Sequence, residues 1–331
     1  MISKYSKAKL SILILTLGTI TSGGIGENRL RPVSTYSIVA RDPATGQLGV
    51  AVQSHWFSVG SLVTWAQAGV GAVATQSFVL VDYGPNGLEL MAGGLAAPQV
   101  LEQLVAADEG REVRQVAMID AHGQVAAHTG DSCIPAAGQH VGENYSVQAN
   151  LMFSDQVWPR MKVAYESAEG DLADRMMAAM EAAQAAGGDI RGRQSAAILI
   201  VSGEKQEQAW QGVLMELRVE DHPQPLAELR RLIRVHRAYQ YMNAGDLAVE
   251  HGDDELALKE YGAAMELFPG NLEMKFWTAV SLANMGRLKE AYPLFKEIFA
   301  QDENWRVLLP RLVVSGLIKQ QDVDRILKKV K

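Results

Sequence analysis

Short apolar segments separated by tight turns fill the chain from residue 35 to about residue 221. Alternating or continuous apolar residues predict eight strands, at 35–42, 48–53, 70–76, 115–119, 124–128, 145–152, 195–201 and 214–219. Helical periodicity marks 88–107, with a break near Gly93 and Gly94, and 156–186, whereas 83–87 has the composition of a turn. Strands joined by turns too short for helical crossovers indicate an α+β fold, with largely antiparallel sheets covered by helices.

From residue 226 onwards the pattern contains only helical signals, and it repeats at an offset of 34 residues. Gly252 corresponds to Gly286, Ala257 to Ala291 and Tyr261 to Phe295. Small residues at such positions let paired helices approach closely, and aromatic residues fill the space between pairs. The period and these positions resemble those of tetratricopeptide repeats. We therefore expect 226–331 to form an all-α tetratricopeptide-like helical repeat domain, with a helix covering each end of the stack.

The first residues have the three parts of a secretory signal. Lys4, Lys7 and Lys9 precede an apolar run from residue 10 to residue 20, and small residues suited to signal peptidase follow up to Gly24. We interpret 1–24 as a signal peptide, which predicts an exported, periplasmic or extracellular protein, and 25–34 as a leader linker. An uncleaved membrane anchor is the alternative interpretation.

Charge and cysteine content exclude several function classes. The formal net charge is −7, and residues 1–34 carry five basic residues against one acidic residue, so the remaining chain is more acidic and does not have the basic stripe of a nucleic-acid-binding protein. A single cysteine, Cys133, excludes an internal disulfide framework and a cysteine-based zinc cluster. His122, His128 and His140 do not have ligand-like spacing, so the sequence predicts no metal and no cofactor.

A series of short blocks in fixed order resembles one known family. These blocks are 35–42, 48–52, 68–76, 83–84, 127–130, 145–150, 187–189, 192–196 and 219–223. Together they are similar to the domain of unknown function DUF1028, which is assigned to the N-terminal-nucleophile (Ntn) hydrolase-like superfamily. The resemblance covers roughly 35–237. It implies a four-layer αββα sandwich for 35–225, with two antiparallel sheets inside and helices outside.

The resemblance also implies a catalytic arrangement. In active members of that superfamily the first strand begins with a Thr, Ser or Cys that processing has freed, so that one residue supplies both the nucleophile and its amine base. Thr35 matches that position. Thr75 and Gln76 end a strand where an oxyanion-binding backbone is expected, and Asn150 ends another strand, from which its amide could reach the same oxyanion.

Other polar residues near strand ends are weaker candidates for this site. Gln53, Ser54 and His55 end the second strand, where the superfamily places groups that tune the nucleophile, and His128 and Ser195 lie near further strand ends. Arg191 and Arg193 could bind a substrate carboxylate, or form a surface ion network with Asp189. Each candidate, Thr35 included, also has a simpler interpretation as an ordinary strand, turn or surface residue.

Two functions from different classes remain open at this point. The first is an exported Ntn-type amidohydrolase that acts on a small-molecule or peptide amide, with Thr35 as the nucleophile. This function requires a cut at Ser34–Thr35, because a signal-peptidase cut near Gly24 leaves about ten residues before Thr35; a cut that exposes Ser34 is an alternative. The second is a non-catalytic envelope protein that keeps the extension and binds a ligand. The helical repeats could bind a protein partner, hold the first domain in an assembly, or only extend the core and bind nothing; we also expect a homo-oligomer.

Overall fold

The computed structural model describes Val33 and residues 35–330. The predicted signal peptide and leader linker therefore lie outside the described residues, apart from Val33. The strands are β1 (Thr35–Arg41), β2 (Leu48–Ser54), β3 (Thr64–Gln67), β4 (Gly71–Ser77), β5 (Arg114–Asp120), β6 (Val125–Thr129), β7 (Gly138–Gly142), β8 (Tyr145–Ala149), β9 (Ser195–Val201) and β10 (Val213–Val219). The helices are α1 (Gly60–Val63), α2 (Tyr83–Ala92), α3 (Ala97–Ala107), α4 (Val157–Ser167), α5 (Leu172–Ala185), α6 (Pro225–Glu250), α7 (Asp254–Leu267), α8 (Leu272–Asn284), α9 (Leu288–Gln301), α10 (Asn304–Leu308) and α11 (Gln320–Lys329).

The strands form two antiparallel sheets. One sheet has the order β10-β9-β2-β1-β8-β7, so β1 is central, and the other has the order β3-β4-β5-β6. Antiparallel pairing follows from the tight turns, of which 43–47 between β1 and β2 is an example. The mixed α/β character, the antiparallel sheets and the helical C-terminal region are thus confirmed.

Side-chain alternation places one face of each sheet against the other sheet. Val39, Val50 and Val52 from the six-stranded sheet share a core with Ala74 and Ala117 from the four-stranded sheet. The opposite faces carry helices. Ile38 and Ala51 pack against α4 and α5, and Val73 and Met118 pack against α2 and α3.

The turn predicted at 83–87 is wrong, because these residues form the first turns of α2. Pro85 lies early enough in the helix that its missing N–H removes no intrahelical hydrogen bond. Gly84 is required by close packing: a Cβ there would lie 2.3 Å from Cγ of Trp65. Strands β3 and β7, which the sequence pattern did not predict, are short edge strands.

The C-terminal region consists of helices packed side by side. Asp253 and Asn271 cap α7 and α8 by accepting hydrogen bonds from Leu256 N and Met274 N. Residues 34 positions apart have the same environment: Ala257 and Ala291 are both fully buried, as are Tyr261 and Phe295. Gly252 and Gly286 end their helices with φ of +75° and +78°, a conformation that favours glycine.

Helix α6 belongs to both halves of the fold. Its first turns bury Leu226, Leu229 and Ile233 in the core beneath the six-stranded sheet, and its far end buries Met242 and Ala248 against α7. The described residues form one compact unit. Among the described residues, no helix combines the length and apolar character needed to cross a bilayer.

Candidate functional site

A row of buried polar residues crosses the end of the six-stranded sheet. Thr35 is paired with Ser54, and Ser54 is paired with Ser195. Asn150, which directly follows β8, donates its backbone N–H to Thr35 O at 3.1 Å. Residues paired across antiparallel strands point to the same face, and here that face is the one towards the second sheet. All four residues are at most 1% exposed.

The facing sheet contributes two glutamines to this row. Gln76 Nε2 donates to Thr35 O at 3.2 Å and to Gln115 Oε1 at 2.6 Å. Asn150 Nδ2 donates to the same Gln115 Oε1 at 2.9 Å. Side-chain amides from both sheets therefore meet next to the backbone of Thr35.

Gln115 is the centre of a larger hydrogen-bond network. Its Nε2 lies 2.8 Å from Thr129 Oγ1, 2.9 Å from Ala149 O and 3.3 Å from Gly138 O. On the other side, Ser37 Oγ donates to Gln76 Oε1 and accepts from Gln148 Nε2, at 2.7 and 2.6 Å. A connected network of this kind fixes the orientation of each amide, because a buried polar group without a partner is costly.

Thr35 itself is covered by the residue two positions before it. Thr35 Oγ1 donates to Val33 O at 2.6 Å, and Val33 is bonded to Ser77 through both its N–H and its C=O. Val33 is 2% exposed and Thr35 is fully buried. In the uncut chain, therefore, the hydroxyl of Thr35 is not accessible to a substrate.

One acceptor in the row has no partner. Asn150 Oδ1 is buried and makes no hydrogen bond among the described residues, although its Nδ2 is bonded. An unsatisfied buried oxygen next to Thr35 favours a donor at this position.

Two predicted site residues point away from Thr35 because side chains alternate along a strand. Thr75 lies on the helix-facing side of β4 and donates to Leu80 O at 3.1 Å. Gln53 shares its face of β2 with Gly49, where a Cβ would contact Met176 of α5. Gln53 is fully buried on that side, and neither of its polar side-chain atoms has a partner in the described part of the chain.

His55, Arg191 and Arg193 lie on this same helix-facing side, around Asp189. Arg191 binds the Asp189 carboxylate through Nε and Nη2, at 3.1 and 2.7 Å, and His55 N donates to it at 3.0 Å. Arg193 is exposed. Burial raises the pKa of nearby Tyr36 well above its usual range, while Arg193 lowers it and Asp189 raises it. This arrangement is an ion network separate from the polar row.

His128 and Ser195 hold local backbone. The His128 side chain lies on the helix-facing side of β6, with Nε2 2.8 Å from Arg111 O. Ser195 Oγ donates to Trp56 O and accepts from Val59 N at 3.1 Å, so it anchors the loop that follows β2. Ser195 is thus in the row with Thr35, but its hydroxyl is occupied.

A cavity of about 790 Å³ opens where the edge strands of the two sheets meet. Its lining includes Thr129 at the end of β6, Gly138 and Gln139 at the start of β7, and Trp158 of α4. Thr129 and Gly138 are also hydrogen-bond partners of Gln115, so the cavity lining is joined through one side chain to the amides around Thr35. Burial raises the pKa of the Cys133 thiol, which lies in the same lining.

The network residues Gln115, Gln148 and Gln139 were not predicted as site residues. Gln115 shares a buried face of β5 with Ala117 and Ile119, Gln148 is buried within β8, and Gln139 lies in the partly exposed edge strand β7. A glutamine in phase with the buried apolar residues of a strand is the sequence signal that identifies Gln115, since an amide is buried only with partners. Within the described residues, no three His, Cys, Asp or Glu side chains are arranged to share a metal ion.

The fold and site define the class as a mixed α/β protein with an antiparallel sheet domain, a buried polar site between its sheets, and a helical C-terminal region. Residues 35–229 match DUF1028, a family of unknown function, and the chain belongs to this family. A crystal structure of a DUF1028 protein from Silicibacter pomeroyi is similar, with a TM-score of 0.54 and 26% identity. The match covers 61% of this chain and 88% of that one. No curated protein matches the chain.

Proposed function

We propose that the chain is the precursor of an exported Ntn-type amidohydrolase, in which a cut at Ser34–Thr35 creates the catalytic residue. The single observation that carries this proposal is the position of Thr35. It begins the central strand of the six-stranded sheet, faces the second sheet, and is surrounded by the amides of Gln76, Asn150 and Gln115. We interpret the two sheets and their outer helices as a four-layer Ntn-hydrolase-like sandwich, and the 34-residue repeat as tetratricopeptide-type.

The cut changes three things at Thr35. It creates a free amine, it removes the Val33 carbonyl that now accepts the hydrogen bond of the hydroxyl, and it releases the Val33 pairing with Ser77. Burial disfavours the charged form of an amine and lowers its pKa, so a new amine in this environment is available as a base near neutral pH. Asn150 Oδ1, the acceptor without a partner, lies in the same row.

The chemistry then follows from these groups. Thr35 Oγ1 attacks the amide carbonyl of the substrate and the Thr35 amine takes its proton. A C–O bond forms, and the C–N bond breaks as the leaving amine takes up that proton. Water then hydrolyses the resulting ester and regenerates the hydroxyl. Asn150 Nδ2 donates one of its two N–H groups to Gln115, and the second is a donor of the kind that stabilises the negative charge on the carbonyl oxygen in the transition state. Gln76 Nε2 holds the Thr35 backbone and Gln115 in position with both of its N–H groups.

N-terminal sequencing and intact mass of the mature protein test the cut directly. We expect a chain that begins at Thr35. With aminoacyl-coumarin amides as substrates, Thr35→Ala should lose at least about 10³-fold in kcat/KM, whereas Thr35→Ser should keep measurable activity. Thr64→Ala is the matched control. Thr64 lies on the edge strand β3, away from the row, and its hydroxyl donates a hydrogen bond to Gly60 O. A folded, fully processed protein that begins before Thr35, and whose hydrolysis is unaffected by Thr35→Ala, excludes this mechanism.

A second function is favoured by a different observation. In the uncut chain the Thr35 hydroxyl is fully buried and its hydrogen bond is satisfied, as in an ordinary structural threonine. A non-catalytic envelope protein, which keeps its extension, binds a ligand and recruits a protein partner through the helical repeats, requires no more than this. An intact chain around residue 34, together with a Thr35→Ala variant that keeps its cellular role, supports this second function.

A further inference from the structure

We infer that the cavity beside β7 binds the cationic group of the substrate, so that the amides cleaved carry an alkylammonium or guanidinium group. This inference rests on the proposed function for its link to catalysis, but the binding itself is a property of the uncut chain. The cavity volume of about 790 Å³ falls within the range of small-molecule sites.

The charge of the cavity supports a cation. Asp131 and Asp155 are the charged residues among those that line it, and both are exposed. Neither carboxylate forms an ion pair or accepts a hydrogen bond among residues 33 and 35–330. Two carboxylates without a partner at the mouth of a cavity attract a positive ligand and repel a negative one.

The aromatic wall supports the same ligand. Trp158 lines the cavity and lies against Gly138, where a Cβ would be only 2.5 Å from Trp158 Cζ2. Close packing against a residue without a side chain holds the ring in place. The same lining therefore combines two carboxylates with an aromatic ring, and a cation is attracted by both kinds of group.

The position of the cavity connects this binding site to Thr35. Gly138 and Thr129 in the lining are bonded to Gln115 Nε2, and Gln115 Oε1 is bonded to the amides of Gln76 and Asn150. A ligand held in the cavity is therefore separated from the row that contains Thr35 by a single side chain, that of Gln115.

Isothermal titration of the full-length Thr35→Ala chain separates binding from turnover. The probes are N-acetyl-lysinamide, and N-acetyl-norleucinamide, which has the same side-chain carbons without the ammonium group. We expect the lysine probe to bind more tightly than the norleucine probe. Its affinity should fall about tenfold in Asp131→Asn/Asp155→Asn and should also fall with added salt, because the attraction is between exposed charges. Asp221→Asn is the control, since it removes one exposed carboxylate outside the cavity.

Equal binding of the two probes, or an affinity unchanged in the double variant, overturns the inference even if the chain proves to be a hydrolase. Conversely, selective lysine binding in a chain that never hydrolyses an amide supports the site and rejects the proposed catalysis. Both aspartates are exposed, so the variants should fold, and circular dichroism checks this point.

Discussion

Replacement of Gln115 by methionine tests whether the polar network holds the two sheets together. Methionine has a similar volume, so the change removes the hydrogen bonds without creating a large cavity. Asn150 Nδ2 then loses its partner, and Gln76 Nε2 loses the shorter of its two bonds. A buried donor left without a partner costs about 1–3 kcal/mol, so the two donors together predict a loss of about 2–6 kcal/mol in the free energy of unfolding.

Urea denaturation followed by circular dichroism measures this loss. Gln103→Met is the matched control, because Gln103 is exposed on α3 and its replacement should change stability by no more than about 0.5 kcal/mol. If Gln115→Met does not fold, Thr129→Val removes two links of the network, the bond from Gln115 Nε2 at 2.8 Å and the bond to Gln139 Oε1 at 2.7 Å, and should cost about 1–3 kcal/mol. A loss below about 1 kcal/mol for Gln115→Met would refute the reasoning, because the donors would then have found other partners.

Two further predictions concern stability away from the site. Burial alone would raise the pKa of Asp108, but hydrogen bonds from Arg114 and from a backbone N–H outweigh it and lower the pKa below its usual value. Asp108 therefore stabilises the fold above about pH 4 and loses this effect as the pH falls further. In urea titrations, the free energy of unfolding of Asp108→Asn should fall less between about pH 6 and pH 3 than that of the unaltered protein. An equal loss in both proteins contradicts this. Gly262→Ala on α7 should raise the thermal midpoint by the equivalent of about 0.5–1 kcal/mol, since nothing lies within 4 Å of the added Cβ; a lower midpoint contradicts it.

Most strands were predictable because their apolar residues recur with period two or form short continuous runs, as in 70–76 and 195–201. The edge strands β3 and β7 were not. Residues 64–67 and 138–142 are partly exposed and mostly polar or small, so they carry no clear apolar pattern. Their strand conformation comes from pairing with a neighbour, which is a tertiary effect that local sequence does not contain.

The positions of the candidate site residues along the strands could be predicted, but the face of the sheet to which each side chain points could not. Thr35, Gln76, Asn150, Ser54 and Ser195 were expected near strand ends, and the structure brings them into one buried cluster. Thr75 and Gln53 were expected there too, yet each is one residue out of phase with the face that meets the second sheet. A shift of one residue reverses the face, and only the register between strands decides it. Gln115 was missed because its partners Gln76, Thr129 and Asn150 lie on or next to other strands, and the local sequence does not show that they meet.

The 26-residue helix α6 packs both against the six-stranded sheet and against the C-terminal helices. Arg230 and Arg237 fasten it to Asp174 of α5, and the same helix lies against β9 and β10. One continuous helix therefore joins the packing of the C-terminal helices to the strand that begins at Ser195. A chain that ended at residue 225 would lack Leu226, Leu229 and Ile233, which pack in the core beneath the six-stranded sheet. The sheet domain would then expose an apolar surface that favours aggregation.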